Sequence, residues 1–172
     1  MIDFSEYIRD IPDFPEKGIV FKDITPLLGD AEAFRAVIDV FVEEYRDQNI
    51  DMVAGIDARG FILGSVLAYQ LGIGFVPIRK SGKLPYKTYE ESYQLEYGSS
   101  STLAIHQDAF SHGSRVVICD DVIATGGTLA ATINLVKKLG GDLVGIAVLI
   151  ELAFLNGREK FIHENIFSLI EF

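Results

Sequence analysis

The most informative segment of this sequence is Val116-Val-Ile-Cys-Asp-Asp-Val-Ile-Ala-Thr-Gly-Gly-Thr128. Its first four residues are all apolar, and a short run of this kind predicts a strand that is buried on both faces. Two acids, Asp120 and Asp121, end this strand, and a turn with two glycines leads into a helix at about Leu129. A second apolar run follows at Val144–Ile150. This order of elements predicts a βαβ unit, in which the two strands are parallel.

The same alternation extends towards the N-terminus. Short apolar runs predict strands, and apolar residues spaced three or four positions apart predict helices. A helix should begin after Asp30, because aspartate commonly caps helix N-termini, and should end near Gln48. We predict one α/β domain over residues 1–172, with a mainly parallel, twisted sheet flanked by helices. The other expected strands are Met52–Ile56, Phe75–Ile78 and a candidate at Leu103–His106, and the other expected helices are Gly60–Leu71 and Leu129–Leu139.

Two segments do not follow this alternation. Residues 1–30 contain three prolines and predict a short helix followed by an irregular, aromatic-rich stretch, which we interpret as a small N-terminal hood. Residues 81–101 are polar, rich in Ser, Tyr and Gly, and have no clear period. Because connections this long are usually functional, we expect residues 81–101 to form a flexible lid loop over a site.

Composition limits the classes of partner. The chain has 15 basic and 25 acidic residues, a formal net charge of −10. Such a surface repels nucleic acid and anionic membranes, so neither is predicted as a partner, but a small anion can still bind at local cations. The single cysteine, Cys119, excludes an internal disulfide and should be packed within its strand. The N-terminal residues lack the features of a signal peptide, and we expect a cytoplasmic protein.

The segment after Cys119 has the chemistry of a phosphate and sugar site. Backbone N–H groups of the turn Ala124, Thr125, Gly126, Gly127 and Thr128, at the start of a helix, suit a phosphate dianion. Asp120 and Asp121 would repel that phosphate and instead suit hydroxyls, such as those of a ribose, or a cation. The alternative is a capped strand–helix turn with solvated acids. The combination of adjacent acids and glycines favours the functional interpretation.

Cationic residues follow two other predicted strands. Arg59 lies near a helix start, where its guanidinium could form a second anion site, although pairing with Asp57 is an equal alternative. Arg79, Lys80 and Lys83 follow the strand at Phe75–Ile78. A solvated basic turn is the ordinary explanation for such a trio. Against the net charge of −10, however, they form a local positive cluster.

The segment from Val116 to Thr128 resembles the phosphoribosyl-pyrophosphate (PRPP) binding motif of type I phosphoribosyltransferases. Four further segments resemble the adenine phosphoribosyltransferases within that family, and the similarity runs from about Ile11 to Phe172. These segments are Phe14-Pro-Glu-Lys-Gly-Ile-Val-Phe-Lys-Asp-Ile-Thr-Pro26, Ile56-Asp-Ala-Arg-Gly-Phe61, Arg79-Lys-Ser-Gly-Lys-Leu-Pro85 and Leu95-Glu-Tyr-Gly98.

The resemblance implies transfer of the 5-phosphoribosyl group from PRPP to adenine, a purine salvage reaction that gives AMP and pyrophosphate. It implies a homodimer, and Mg²⁺ held mainly through PRPP with no direct protein ligand. Residues 124–128 would hold the 5′-phosphate, and Asp120 and Asp121 would orient the ribose hydroxyls. The implied pyrophosphate site consists of Ala58, Arg59, Arg79, Lys80 and Lys83, and the loop that contains Ala58 often has a non-proline cis peptide in this family.

The resemblance also implies how adenine would be held. Phe21 would stack on the base, the Val20 backbone would contact its amine, and Leu152 would close the other face. Lys22 stands where the family usually has arginine. Glu96 would be the acid/base beside the purine, and Tyr97 would pack near the reacting centre. The implied catalytic residues are therefore Glu96, Asp120, Asp121 and Arg59.

Two other functions stay open at this point. A phosphoribosyltransferase for a 6-oxopurine would need a cationic donor near position 6 of the base, and Ile150-Glu151-Leu152-Ala153 offers none. A non-catalytic regulator that senses PRPP and binds DNA would need an added basic module, for which an acidic chain of 172 residues leaves no room.

Overall fold

The computed structural model describes residues 2–94 and 100–172. Strands and helices are numbered in chain order. The strands are β1 Arg9–Pro12, β2 Val20–Asp23, β3 Met52–Ile56, β4 Gly74–Lys80, β5 Thr88–Gln94, β6 Ser100–His106, β7 Arg115–Ile123, β8 Asp142–Glu151 and β9 Ile166–Glu171. The α-helices are α1 Thr25–Gly29, α2 Ala31–Tyr45, α3 Arg59–Leu71 and α4 Gly127–Lys138, and the 3-10 helices are Phe4–Tyr7, Ala153–Leu155 and Gly157–Phe161.

A seven-stranded mixed sheet forms the centre of the fold, in the order β5-β6-β4-β3-β7-β8-β9. The strands from β4 to β9 in this order are all parallel to their neighbours, whereas β6 and β5 are antiparallel additions at one edge. The predicted mainly parallel α/β sheet is therefore confirmed. Strand β4, which follows β3 in the sequence, lies on one side of β3, whereas the later strands β7, β8 and β9 lie on the other side. This reversal makes the boundary of β3 and β7 the topological switch point, where α/β proteins bind ligands.

Two apolar cores cover the two faces of the sheet. One lies between α4 and the sheet, and it includes Leu135 and Val136 from the helix and Ile118 from β7. The other lies under α2 and α3, where Cys119 is packed as predicted. Burial raises the pKa of the Cys119 thiol, which therefore stays protonated. None of the helices in the described ranges combines the length and the apolar character that crossing a membrane requires.

Most predicted elements are confirmed, with corrections at their ends. Asp30 caps α2 through bonds to the amides of Glu32 and Ala33, but this helix ends at Tyr45 instead of near Gln48. The prediction that the strand ends at Asp120 and Asp121 was wrong, because β7 continues to Ile123. Pairing with β8 extends this far, whereas pairing with β3 stops at Cys119. The two acids therefore lie in a stretch of β7 that pairs with β8 but not with β3.

The segments predicted to be irregular contain regular structure. In the hood, residues 9–12 and 20–23 form the two-stranded antiparallel sheet of β1 and β2. Asp23 joins this sheet to α1, since it accepts hydrogen bonds from Arg9 and from Thr25. In the segment predicted as a lid, residues 88–94 form β5, which pairs along its length with β6. Closure of residues 81–101 over a site stays a prediction.

Candidate active site

A cavity of about 280 Å³ lies at the switch point, beyond the paired parts of β3 and β7. It collects residues from the ends of both strands, the loops that follow them and one side chain of β5. The lining consists of Ile56, Asp57, Ala58, Arg59, Tyr93, Asp120, Asp121, Val122, Ile123, Ala124, Thr125, Gly126, Gly127, Thr128, Leu129 and Val148. The structure thus brings together the two acids, Arg59 and the whole of residues 124–128, which are distant in the sequence.

Two helices begin at this cavity, and neither has a side-chain cap. The cap residue of α3 is Ala58 and that of α4 is Gly126, and neither provides a hydrogen-bonding side chain. The first N–H groups of a helix need acceptors, and the helix dipole makes this end partially positive. By contrast, Asp30 satisfies the first amides of α2. Two uncapped helix N-termini at one cavity are a site for anions.

The loop of residues 124–128, called here the glycine loop, is shaped by its glycines. Gly126 has a φ of +81°, a left-handed conformation that side chains other than glycine rarely adopt. A Cβ atom on Gly127 would lie 2.9 Å from the carbonyl oxygen of Gln94, so the end of β5 packs directly against the start of α4. Residues 124–128 line the cavity, and the two glycines among them place no side chain there.

The acids of β7 and Arg59 form the charged centre of the cavity. Asp121 is buried, and its Oδ2 atom lies 2.8 Å from Nε of Arg59. This contact satisfies the distance of an ion pair but not the angle of a hydrogen bond, so Oδ2 has no hydrogen-bond donor among the described residues. Nη1 of Arg59 is likewise buried without an acceptor. Two polar atoms with unused bonding capacity favour a polar ligand here.

Burial changes the acidity of both carboxyl groups. It raises the pKa of Asp120, and the neighbouring charge of Asp121 raises it further. Burial also raises the pKa of Asp121, while the Arg59 guanidinium opposes that rise. Groups with raised pKa values in a cavity are characteristic of functional sites. Hydroxyl groups of a ligand that donate to these oxygens would stabilise the charged carboxylates.

The start of α3 is packed tightly against β7. A Cβ atom on Gly60 would lie 2.6 Å from the carbonyl oxygen of Cys119 and 2.9 Å from Oδ1 of Asp120. The peptide bond between Asp57 and Ala58 is cis, as the family resemblance implies. This packing holds Arg59 beside Asp121, and the alternative pairing of Arg59 with Asp57 is not observed.

The prediction that Arg79 and Lys80 follow their strand was wrong, because β4 continues to Lys80 by pairing with β6, and the basic cluster is only partly at the cavity. Arg79 donates from Nε to Oδ2 of Asp57 at 3.2 Å, and its Nη1 donates to the Lys83 carbonyl oxygen. Lys80 and Lys83 are exposed and do not line the cavity. Arg79 is therefore connected to the cavity through Asp57, whereas the two lysines lie outside it.

The hood places aromatic and apolar residues beside the charged centre. Phe21 contacts Arg59, whose guanidinium carbon lies 4.6 Å from the ring centroid, and Phe14 meets the same ring edge-on at 5.2 Å. Lys22 pairs with Asp10 and lies over the ring of Phe172, with Nζ 3.8 Å from the centroid. A second cavity, of about 620 Å³, is lined by Asp10, Gly18, Ile19, Val20, Lys22, Thr125, Leu152, Phe154, Leu155 and Phe172.

The two cavities meet at Thr125, which lines both. The second cavity is lined by Val20, Lys22 and Leu152, three of the residues predicted for adenine, whereas Phe21 contacts Arg59 but lines neither of these two cavities. Sequence reasoning missed Tyr93, Phe154, Leu155 and Phe172. Only Tyr93 has a sequence signal, because Tyr89 and Tyr93 are four residues apart and the side chains of a strand alternate between its two faces. In the structure both tyrosines face inward, whereas Glu90 and Ser92 face outward. The predicted Glu96 and Tyr97 lie outside the described residues.

The fold and the site define a class of proteins that bind an anionic ligand at the switch point of an α/β sheet. A family model described as "Phosphoribosyl transferase domain" matches residues 27–170. An adenine phosphoribosyltransferase from Syntrophotalea carbinolica is 56% identical over 172 residues, which is 100% of both chains. These findings identify the class as the phosphoribosyltransferases.

Similarity to solved structures shows to which family of phosphoribosyltransferases the chain belongs. The crystal structure of adenine phosphoribosyltransferase from Rhodothermus marinus has a TM-score of 0.93 and 53% identity, with 98% of this chain and 96% of that chain covered. The enzyme from Saccharomyces cerevisiae, complexed with an imino-altritol bisphosphate and adenine, has a TM-score of 0.90 and 39% identity over 96% of each chain. The chain belongs to the adenine phosphoribosyltransferase family.

Proposed function

We propose that this protein transfers the 5-phosphoribosyl group from PRPP to adenine and releases AMP and pyrophosphate. The observation that carries the proposal is the cavity in which Asp120 and Asp121 face the uncapped starts of α3 and α4. PRPP presents two anionic groups on either side of a ribose diol. Two anion sites on either side of a pair of carboxylates match that arrangement. Family membership supports the same reaction.

The glycine loop would hold the 5′-phosphate. Its backbone N–H groups and the dipole of α4 provide the donors, and Thr125 and Thr128 add hydroxyls within the same cavity. This end of the substrate does not react. Binding energy gained here therefore serves to position the ribose for the reaction at C1′.

Asp120 and Asp121 would accept hydrogen bonds from the ribose hydroxyls. The transition state of this displacement has positive charge on the ribose ring, and carboxylates held in place before the reaction stabilise that charge. Arg59 keeps the Asp121 carboxylate in position through the 2.8 Å ion-pair contact. Nη1 of Arg59, which has no acceptor within residues 2–94 and 100–172, would then donate to the leaving pyrophosphate.

The pyrophosphate would lie at the start of α3, where Ala58 and Arg59 line the cavity. Arg79 would contribute through its contact with Asp57, and Lys80 and Lys83 would reach the same group only by moving from their exposed positions. These cations give the site a local positive potential despite the net charge of −10.

Magnesium would enter as part of the substrate. Asp57, Asp120 and Asp121 line the cavity, and carboxylate oxygens are ligands that suit a Mg²⁺ ion carried in with PRPP. When bound, Mg²⁺ neutralises negative charge that builds up on the leaving pyrophosphate.

Adenine would bind between the two cavities. The apolar lining from Val20 and Leu152 suits a flat, uncharged base, and the backbone of the exposed residue Val20 would contact its amine. Phe21 would stack on the base, and Lys22 would contribute to the polar edge of this subsite from its place beside Asp10. Glu96 would transfer the purine proton, with Tyr97 packed beside the reacting centre, and closure of residues 81–101 would exclude water from the ribosyl cation.

The reaction is tested by PRPP-dependent turnover of adenine, hypoxanthine, guanine and xanthine. We expect AMP formation from adenine with Mg²⁺, no comparable turnover of the three 6-oxopurines, and loss of activity when a chelator removes the metal. Preference for a 6-oxopurine would support the related transferase class instead. PRPP binding without turnover of any base would support a non-catalytic sensor and contradict the proposal.

Asp121→Asn tests the role of the diol carboxylates. Loss of a charge-assisted hydrogen bond to the ribose is worth roughly 1.5–3 kcal/mol, so kcat/KM should fall about tenfold to a hundredfold. Asp142→Asn is the matched control, because Asp142 forms an exposed pair with Arg115 at the N-terminal ends of β8 and β7, the opposite end of these strands from the cavity. Steady-state kinetics should show no change for this control. An unchanged kcat/KM for Asp121→Asn would remove Asp121 from the mechanism.

We also propose that the protein is a homodimer. Ile62 and Tyr69 lie seven residues apart on α3, which puts them on one face, and they are 41% and 82% exposed. An apolar face of this kind is suited to burial against a second copy. Sedimentation equilibrium should give twice the chain mass of 19.0 kDa, and a monomer at micromolar concentration would contradict this proposal. The cytoplasmic location stays a prediction.

A further inference from the structure

The 3-10 helix Gly157–Phe161 packs against the glycine loop and does not line the cavity. Gly157 is buried there, and a Cβ atom on it would lie only 2.0 Å from the carbonyl oxygen of Ala124. Three residues later, Nζ of Lys160 donates to the carbonyl oxygen of Thr125 at 2.6 Å. The 3-10 helix therefore contacts two successive carbonyl groups of the glycine loop.

The geometry of the peptide bond gives these contacts a consequence. In a planar trans peptide, the C=O and the N–H point in opposite directions. The peptides after Ala124 and Thr125 are both trans. If their carbonyls are directed to the 3-10 helix, the N–H groups of Thr125 and Gly126 are directed to the other side of the loop, where the loop lines the cavity. Those N–H groups are the donors that an anion would use.

Arg158 fixes the 3-10 helix to the sheet. Its guanidinium donates to the buried Glu151 of β8, where Nε lies 2.8 Å from Oε1, and Nη2 bonds to the same carboxylate. It also donates to the Ile166 carbonyl oxygen and to Oγ of Ser168, both in β9. Bonds to two strands restrain the segment more than a single ion pair would. The pKa of Glu151 is lowered, first by the hydrogen bonds from Arg158.

We propose that Gly157 and Lys160 are positioning residues for phosphate binding. They hold the carbonyls of Ala124 and Thr125 on the protein side, which directs the next two N–H groups at the 5′-phosphate. Gly157 acts through its missing side chain, because any Cβ would push the Ala124 carbonyl away. Lys160 acts through its bond to the Thr125 carbonyl. This inference rests on the proposed function, in which the glycine loop holds the phosphate.

The test compares binding of AMP with binding of adenosine by calorimetry, because the ratio of the two affinities isolates the contribution of the phosphate. The wild-type protein should bind AMP more tightly. Gly157→Ala should lower the affinity for AMP by about tenfold to a hundredfold, since ångström-scale displacement of positioning groups has effects of this size. Its affinity for adenosine should not change. A residue with a merely structural role would alter both affinities together or neither.

If Gly157→Ala does not fold, a second variant with a less disruptive substitution still tests the proposal. Lys160→Met changes an exposed side chain and should lower the affinity for AMP by about twofold to tenfold, the effect of one hydrogen bond. Lys137→Met is the matched control, because Lys137 is also exposed and cationic but pairs with Glu164 instead of the glycine loop. This control should keep the wild-type ratio of affinities.

The outcomes separate this inference from the proposed function. If the wild-type protein binds AMP and adenosine equally well, the phosphate site itself is wrong. If the wild-type protein prefers AMP and Lys160→Met keeps that preference, the positioning role is overturned while the proposed function stands. An equal loss in Lys160→Met and Lys137→Met would show a general effect of charge and would also overturn it.

Discussion

The site depends on the unequal pairing of β7 with its two neighbours. Its register with β3 stops at Cys119, whereas its register with β8 continues to Ile123. Asp120 and Asp121 therefore lie on a strand that is held firmly from one side and open on the other. The start of α3 fills part of the open side, and Gly60 allows the close approach that brings Arg59 to Asp121. The result is a buried carboxylate beside its ion-pair partner, with an oxygen, Oδ2, that accepts no hydrogen bond from the part of the chain that the structure describes.

Much of the fold was predictable because its strands are buried on both faces. Apolar runs at β3, β4, β7 and β8 are visible without any partner, and the Asp30 cap marks the start of α2. By contrast, β5 and β9 were not predicted. Strand β5 is polar and has no apolar run, and the apolar residues of β9 are interrupted by Ser168. The local pattern at the acids did not reveal that β7 extends past Cys119, because that extension depends on pairing with β8.

The candidate site was predictable where the chemistry is local. Residues 120–128 contain both the acids and the glycine loop, so one segment indicates phosphate and sugar binding. The partner of Arg59 was not predictable, because Asp57 is nearer in sequence but Asp121 is nearer in space. Tyr93 and the Gly157–Phe161 helix also reach the site only through tertiary packing. A net charge of −10 is compatible with an anion site, because uncapped helix starts and a few local cations determine the potential there.

The central claim is that the backbone of the glycine loop holds a phosphate while Asp120 and Asp121 face the diol of the same sugar. A crystal structure of the protein with AMP tests it most directly. We expect the phosphate oxygens about 2.7–3.2 Å from backbone nitrogens of the glycine loop, with the ribose hydroxyls at the two carboxylates. A phosphate bound instead at Arg79, Lys80 and Lys83, or a ribose turned away from Asp120 and Asp121, would contradict the claim.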